Sequence, residues 1–351
     1  MSKSRGRKAL AIILFNILAV LLGVVSGLAV VYYAGGNPIH AIISIFTSPF
    51  LSSAGIQQIV IRFIALYTIA LGVGLALKAG LWNIGGQGQF IVGMVMVFVV
   101  YTYLRNLEPS ILFAAMIFFA IVGGVLWIIP PAFLRVKFGA NEIVITLLLN
   151  VVALYFGTYM INGPIKGTES FGYPITDTLP NYLMFPEIFS GVTYALPLTI
   201  AIGLVLYLLV ERSPFGIHAR VVGESIETAH YAGIDSSRIM LVTMLAAGGL
   251  SGLAGATYVM GFLRHLDAGQ FDTSFGLLAV ISAMLGRKHM IGIAFSSLFV
   301  GYITIGTEQM AVSVGVPTSV VFAMEGVMLV GVLVSSFILE RTRLGAILLG
   351  E

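Results

Sequence analysis

The sequence predicts an all-α, polytopic membrane protein with about ten transmembrane helices in a single domain over residues 1–351. Three observations predict this class. Apolar residues make up 58% of the 351 positions, charged residues make up 9%, and the mean hydropathy is +1.03. Soluble chains carry about 25% charged residues. Apolar runs also recur at close to the length of about 20 residues that a helix needs to cross a bilayer core.

Ten such runs are separated by polar breaks, and the eighth is too short to span a bilayer alone. They cover approximately 9–33, 56–78, 88–104, 111–130, 142–162, 194–210, 239–262, 274–285, 290–307 and 319–339. Eight or nine spans are the alternative. Five runs on each side of the middle would make the halves opposite in orientation, which predicts an inverted repeat with broken helices near the centre. The halves are 8–162 and 194–339, joined by an outer loop over 163–193.

The distribution of positive charge predicts the orientation. The first run follows a basic segment and lacks a small-residue cleavage site, so it is predicted to be an uncleaved helix. With a cytoplasmic N-terminus, 14 of the 18 lysines and arginines fall on the cytoplasmic side, and only Arg105, Lys166 and Arg264 fall in outer loops. The positive-inside rule therefore predicts a multi-pass protein of the cytoplasmic membrane with both termini cytoplasmic and a cytoplasmic loop over 211–238.

Several kinds of chemistry are missing from the sequence. It has no cysteine, which excludes disulfides and thiolate ligands. No glycine is followed by lysine, which excludes a Walker A loop, and no histidine is followed by glutamate, which excludes the usual zinc protease motif. The basic residues are scattered, which disfavours nucleic acid. We therefore expect no catalytic residues, no metal and no cofactor, and a transporter component in place of an enzyme.

Residues 80–93 combine five glycines with three amide side chains, those of Asn83, Gln87 and Gln89. Glycine costs about 1 kcal/mol at an interior helix position, and buried amides need hydrogen-bond partners. The segment is therefore predicted to be a broken or re-entrant element that lines a polar cavity. The alternative is an ordinary turn followed by close helix packing. A second polar segment with glycines, residues 269–276, precedes the eighth run.

The fifth run opens with a polar stripe. Asn141 and Glu142 lie in its first turn, and Glu142, Thr146 and Asn150 follow one another at a spacing of four. Such a stripe either lines a pathway or bonds to a neighbouring helix. The candidate substrate pathway therefore consists of Asn83, Gln87, Gln89, Asn141, Thr146 and Asn150. In the seventh run, small residues at spacings of four and three predict close helix packing at Gly248, Gly252 and Gly255.

The inner loop over 216–234 is predicted to contain a short amphipathic helix. Glu224 and Glu227 are placed near its start and Gly233 at its C-terminal stop. Its apolar face would consist of Ile226, Ala229 and Ala232. A helix on this face of a membrane protein is suited to docking into a groove of another protein. A solvated connector is the alternative.

Several of these motifs together resemble one known family. Residues 215–225 with 228–234 resemble the coupling-loop signature of the ABC importer permeases that serve ribose, branched-chain amino acids and nucleosides. Residues 80–89 and 139–150 resemble the nucleoside branch of that family, and 283–287 resemble its late-helix motif. The resemblance extends from about 55 to 340. Two positions depart from the pattern: Ser225 and Ile226 replace an Asn-Pro pair, and Gln87 stands where an acidic residue is frequent.

The resemblance implies a permease subunit that translocates nucleosides, with simple sugars such as ribose or branched-chain amino acids as alternatives. The implied partners are a cytoplasmic ABC ATPase, a second permease, related or identical, an extracytoplasmic substrate-binding lipoprotein and membrane lipids. The residues implied to couple the permease to the ATPase are Arg220, Gly223, Glu224, Glu227, Tyr231 and Gly233. An ion-coupled carrier or channel without ATPases is the alternative of another class, and it would need a functional Glu142, Glu308 or Glu325.

Overall fold

The computed structural model describes residues 21–33, 35–168, 172–189, 191–271, 274–317 and 319–341. Nearly all of this part of the chain is helical, as the composition predicts. The one sheet in the described residues is a short antiparallel pair of strands, β1 (Glu187–Phe189) and β2 (Val192–Thr193). It lies in the long loop that the sequence places at 163–193.

Thirteen helices are found in the described residues. They are α1 (Leu21–Tyr33), α2 (Pro38–Thr47), α3 (Ser53–Lys78), α4 (Gly86–Leu104), α5 (Pro109–Phe138), α6 (Glu142–Asn162), α7 (Ala195–Glu211), α8 (Pro214–Glu224), α9 (Ile226–Tyr231), α10 (Ser236–Tyr258), α11 (Phe275–Leu285), α12 (Met290–Val314) and α13 (Ser319–Arg341). A π-helical turn, Val259–Leu263, extends α10. Short 3-10 turns occur at Ser48–Phe50, Asn181–Leu183 and Ala268–Phe271.

The described residues contain seven helices that are long and apolar enough to cross a membrane, or eight if α7 and α8, which meet at a bend of 68°, form one span. The predicted runs from the second to the fifth and from the seventh to the ninth each correspond to one of the seven. Residues 9–20, about half of the first run, lie outside the described residues. The count of ten spans and the inverted repeat therefore stay predictions.

Two helices were not predicted. The first is α2, in which the Asn37 side chain accepts hydrogen bonds from the backbone of Ile39 at 2.9 Å and His40 at 3.3 Å, with Pro38 at the first helical position. Both features favour a helix start. The second is α8, which also begins with a proline, Pro214. A search for runs of about 20 apolar residues passes over helices of this length.

The chain divides into two compact units. The first contains 1–59 and 298–351, and the second contains 60–297. Within the described part of the first unit, α2 packs on α12. The Tyr302 hydroxyl donates to the Phe46 carbonyl at 2.8 Å. At Gly306, a Cβ atom would lie 2.2 Å from the Ile45 carbonyl oxygen, so the two helix backbones are in direct contact.

The second unit is built around α10, which packs against α4 and α5. The three glycines that the sequence singled out lie at these contacts. A Cβ at Gly248 would lie 2.6 Å from the Gly124 oxygen, and one at Gly252 would lie 2.2 Å from the Ala120 oxygen, both on α5. A Cβ at Gly255 would lie 2.4 Å from the Phe90 oxygen on α4. Glycine is therefore needed for these helices to approach one another.

Candidate functional site

The chain between α3 and α4 is not helical, and we name residues 79–85 the first break. Helix α3 ends at Lys78, and two residues later Gly80 has a φ of +74°, in the left-handed region that favours glycine. The Leu81 amide then returns to the Ala76 carbonyl at 3.0 Å, which is the hydrogen bond of a Schellman end. The glycine-rich segment thus ends one helix and begins another within the buried part of the second unit.

Two of the predicted amides, Asn83 in the first break and Gln89 in the first turn of α4, satisfy each other. Asn83 donates to Gln89 and Gln89 donates to Asn83, both at 3.0 Å, and each residue is only 1% exposed. The Asn83 oxygen also accepts from the Gly85 amide at 3.1 Å. Because these donors and acceptors are already used, the pair supports the shape of the break.

Side chains of α6 hold the backbone of the first break. A Glu142 oxygen accepts from the Trp82 amide at 3.1 Å. Asn150 donates to the Ile84 carbonyl at 3.0 Å and accepts from the Gly88 amide at 2.8 Å. Buried backbone groups need partners, so the polar stripe on α6 supplies the bonds that a helix would otherwise provide. Of the two uses that the stripe allowed, bonding to a neighbouring segment is the one observed for Glu142 and Asn150.

The other two predicted residues of this run have local partners. Thr146 is buried and donates to the Glu142 carbonyl at 2.7 Å. Its Cβ would lie 2.9 Å from a Cβ built at Gly85, so it also packs on the break. Asn141 is exposed and accepts from the Ile143 amide at 3.0 Å, which makes it the N-cap of α6. The structure therefore brings Thr146 to the break but leaves Asn141 at the helix end.

Glu142 has a second partner that the sequence did not indicate. Its other oxygen pairs with the Arg135 side chain at 3.3 Å, near the end of α5. The Glu142 side chain is 7% exposed and the Arg135 side chain is 30% exposed. A buried carboxylate without a partner is costly. A glutamate at the start of an apolar run, seven residues after an arginine, was the available signal for this pair.

The second polar segment is also interrupted. We name residues 264–271 and 274, between the π-helical turn and α11, the second break. Asp272 and Thr273 lie outside the described residues. Its turn is closed locally, because the Gly269 amide donates to the Asp267 side chain at 2.8 Å and the Asp267 amide donates to Gln270 at 3.2 Å.

Gln87 links the start of α4, directly after the first break, to the second break and to the start of α11. Its side chain donates to the Phe271 carbonyl at 3.3 Å and accepts from the Gly276 amide at 2.9 Å. Gln87 is only partly buried, as is Asn150, whereas Asn83, Gln89 and Thr146 are buried. Among the six predicted pathway residues, Gln87 and Asn150 are therefore the ones that combine polar side chains at the breaks with partial exposure.

The loop after α7 contains two helices, and this corrects the predicted single helix. Glu224 is the last residue of α8 and directly precedes the N-cap of α9, so it lies both at a helix end and near the predicted helix start. Ser225 begins α9 as its N-cap, accepting from the Thr228 amide at 3.1 Å. Glu227 does lie in the first turn of α9. Its own backbone amide and the Ser225 hydroxyl hold the pKa of the Glu227 carboxyl below its usual range.

The inner faces of α8 and α9 are fixed in a buried apolar cluster. Ala219, Val222 and Ala229 lie there with residues of α3, α5 and α10. The predicted apolar face of α9 is only partly inside, since Ala229 is buried whereas Ile226 and Ala232 are exposed. The outer surface of the two helices exposes Ile217, Ile226 and Tyr231, with Tyr231 91% exposed.

The end of α8 touches the first break directly. A Cβ at Gly223 would lie 2.2 Å from the Lys78 carbonyl oxygen and 2.9 Å from the Gly80 amide nitrogen. A Cβ at Gly80 would lie 3.0 Å from the Gly223 Cα. These contacts are between backbones, so no side chain can adjust to relieve them. Gly233 ends the segment with a φ of +71°, as its predicted role as a helix stop requires.

An ion pair fastens α7 to the same end of α3, and sequence reasoning missed it. Lys78 and Glu211, the last residues of α3 and α7, are paired, and both side chains are largely buried. Glu211 also accepts from the Met290 amide at the start of α12 at 3.4 Å. Arg220 of α8 donates to the Gly216 carbonyl at 3.4 Å.

In the described part of the chain, no group of three or more His, Cys, Asp or Glu residues is arranged to hold a metal.

Comparison with known proteins adds a family match. The family model described as "Branched-chain amino acid transport system / permease component" matches residues 55–346. The glucose ABC transporter permease protein TsgB13 of Haloferax volcanii is 28% identical, over 94% of this chain and 89% of that protein. The guanosine ABC transporter permease protein NupP of Bacillus subtilis is 26% identical, over 90% and 91%. The nucleoside ABC transporter permease protein NupB of Lactococcus lactis is 24% identical, over 88% and 87%.

Proposed function

Since this chain belongs to the branched-chain amino acid transport system / permease component family, we propose that it is the permease subunit of an ABC importer for nucleosides. The family match over residues 55–346 is the observation that supports the permease function. The family implies a separate ATPase and a substrate-binding protein as partners. Movement of cargo through this chain is therefore driven by hydrolysis elsewhere in the complex.

The nucleoside assignment rests on two similar proteins, named for guanosine and for nucleosides, and on the chemistry at the breaks. A nucleoside offers a neutral ribose and base that are rich in donors and acceptors. Amide side chains can contact it without the cost of burying a charge. Gln87 and Asn150 are the amides we assign to that contact because both are partly exposed. Asn83, Gln89 and Thr146 shape the first break beside this contact, and Asn141 caps α6.

Competition for uptake tests the cargo. Vesicles that contain the whole complex would take up labelled guanosine or adenosine, with unlabelled nucleosides, glucose, ribose or leucine as competitors. We expect only nucleosides to compete. A sugar is the second candidate, because the 28% identical relative is named for glucose. If glucose or ribose competes and nucleosides do not, the cargo is a sugar and the nucleoside assignment is wrong. The permease function would still hold.

The outer surface of α8 and α9 is proposed to bind the ATPase. Ile217, Ile226 and Tyr231 are exposed apolar side chains on helices whose opposite face is fixed in the apolar cluster. A rigid helical surface with exposed apolar anchors is suited to docking in a groove.

Charge reversal at Glu224 and Glu227 tests this surface, and it should lower ATP-driven uptake while the chain stays in the membrane. Uptake that persists in vesicles without the ATPase would instead favour an ion-coupled carrier or a channel.

The proposed orientation places α8, α9 and both termini in the cytoplasm, following the positive-inside rule. The chain has no cysteine, so single cysteines can report on it. Tyr173, which is 73% exposed in the long loop before α7, and Ser237, exposed at the start of α10, serve as the two positions. In intact cells an impermeant maleimide should label Tyr173→Cys and leave Ser237→Cys unlabelled. The opposite pattern would reverse the orientation.

The remaining partners are proposed from the same family relationship. A second permease, related or identical, would complete the membrane part of the complex, and a lipoprotein outside the membrane would deliver the nucleoside. Purification of the complex through a tag on this chain, followed by identification of the copurifying subunits, tests both. Recovery of one permease species would indicate a homodimer, and recovery of two would indicate a heterodimer.

A further inference from the structure

Gln87 occupies an unusual place at the start of α4. It lies in the first turn of a helix that begins at Gly86. Its side chain leaves its own helix and bonds to two backbone groups on either side of the start of α11, the Phe271 carbonyl and the Gly276 amide. One donor and one acceptor of the same amide thus bracket the end of the second break.

The backbones are also in contact at this point. A Cβ at Gly276 would lie 2.5 Å from the Gln87 amide nitrogen and 2.7 Å from the Gln87 Cβ. Phe271 is buried, and its ring lies 2.8 Å from where a Cβ at Gly157 would be, so Phe271 is held against α6. The start of α11 is therefore positioned by α4, through Gln87 and through the Phe275 ring, whose centroid lies 5.4 Å from that of Phe90, and by α6 through Phe271.

The hydrogen bonds within the second break do not provide this positioning. The bonds among Asp267, Gly269 and Gln270 close a local turn and reach no other helix. The two bonds made by Gln87 are neutral, and the side chain is only partly buried. Such bonds exchange with water or with a polar ligand far more easily than buried ion pairs do.

We infer that Gln87 is a latch between the two breaks, a positioning residue that holds α11 against α4 and must release its two backbone bonds for cargo to pass. This inference rests on the proposed permease function. A cargo with hydroxyl, amide or ring nitrogen groups can replace both bonds, since each is an ordinary neutral hydrogen bond. The second break thereby becomes part of the translocation pathway, with Gly276 as the point of closest approach.

Thiol labelling of the whole complex in vesicles tests the latch without any cargo. Ser274→Cys, placed at the end of the second break in this cysteine-free chain, reports on the separation of α11 from α4. Gln87→Ala or Gly276→Ala should raise its rate of reaction with a small maleimide by about tenfold, the change that the loss of two neutral hydrogen bonds produces. Gln87→Glu keeps the acceptor for the Gly276 amide and loses the donor to the Phe271 carbonyl. Its labelling rate should therefore lie between that of the unchanged chain and that of Gln87→Ala.

Gln270→Ala is the matched control, because it removes an amide whose bond is confined to the local turn. It should change the labelling rate by less than about twofold, since one local bond is lost. An equal rise in labelling rate in Gln270→Ala and Gln87→Ala, or no rise in Gln87→Ala, would overturn the latch.

As a second readout, the complex with Gln87→Ala should hydrolyse more ATP per nucleoside taken up. A loss of protein from the membrane with an unchanged ratio would indicate a structural role and would also overturn it. Because the labelling needs no cargo, the test of the latch remains valid even if the chain does not transport guanosine.

Discussion

Both breaks contain glycine and polar residues, but they are held in different ways. The first break is held by polar partners: Gln89 of α4, which pairs with Asn83, and Glu142 and Asn150 of α6. The second break closes its own turn through Asp267 and meets α4 through Gln87. Glycines and amides therefore predict an interruption, but the neighbouring helix decides how firmly the interruption is held.

The difference also divides the two breaks by role. The first contacts α8 through Gly80 and Gly223, backbone against backbone, and its polar groups are largely satisfied by protein. The second is bonded to the long loop before α7 at Thr176 and Leu179, and it meets α4 through neutral bonds from the partly buried Gln87 side chain. We expect the first to move as a rigid part of the proposed coupling unit, and the second to open and close. The predictions that follow test this contrast.

The largest effect is expected at Glu142. Glu142→Ala leaves the Trp82 amide without its acceptor and Arg135 without its partner. Each group left unsatisfied costs about 1–3 kcal/mol. Two groups lose a partner here, so the midpoint of thermal unfolding should fall further than for one lost partner, and uptake should fall by about tenfold. Glu142→Gln, which can still accept from the Trp82 amide, should lose clearly less. Equal losses in the two variants would mean that the bond to the break is unimportant.

The next effect is expected at Gly223. Gly223→Ala would force α8 away from Lys78 and Gly80, because the nearest neighbours of the new Cβ are backbone atoms. Steric overpacking of this kind costs about 1–3 kcal/mol. We expect ATP hydrolysis to continue with severalfold less uptake per ATP, measured in reconstituted vesicles. Gly326→Ala in α13, where a Cβ meets no atom within 4 Å, is the control. An unchanged ratio in Gly223→Ala would exclude this contact as part of the coupling.

A smaller effect is expected within the amide pair. Asn83→Ala or Gln89→Ala alone leaves the other amide buried without its partner, at a cost of about 1–3 kcal/mol in the free energy of unfolding. The double variant removes both, so its loss should be less than the sum of the two single losses. Thermal unfolding of the purified chain measures all three. Additive losses would show that the two amides do not depend on each other.

The smallest effect is expected at Asp267. Asp267→Ala removes one acceptor from a partly exposed turn, whose backbone bonds to Thr176 through Leu266 remain. The expected cost is about 1 kcal/mol or less, with uptake lowered by no more than about twofold. If Asp267→Ala lowers stability and uptake as much as Glu142→Ala does, the two breaks are held equally firmly and the contrast between them is wrong.

Much of this architecture could be predicted from the amino-acid sequence. The bounds of α6 agree with the fifth predicted run, 142–162, because an apolar run of that length between polar residues leaves little choice in a bilayer. The first break was predicted because its glycines and amides do not suit a helix exposed to lipid. By contrast, α8 was missed because its 11 residues are too few for a search for membrane-spanning apolar runs. The structure uses its Gly216 and Gly223 for close backbone contact.

The sequence by itself determined the membrane class, the position of most spans and the polar character of the two breaks, because hydropathy and glycine content act locally along the chain. Only the tertiary structure decided that Asn83 bonds to Gln89, that Glu142 serves Trp82 and Arg135, and that Gln87 reaches Phe271 and Gly276. An amide or carboxylate can satisfy any nearby partner. Which partner it meets depends on how close the helices approach, and in this chain the glycines at the contacts set that distance.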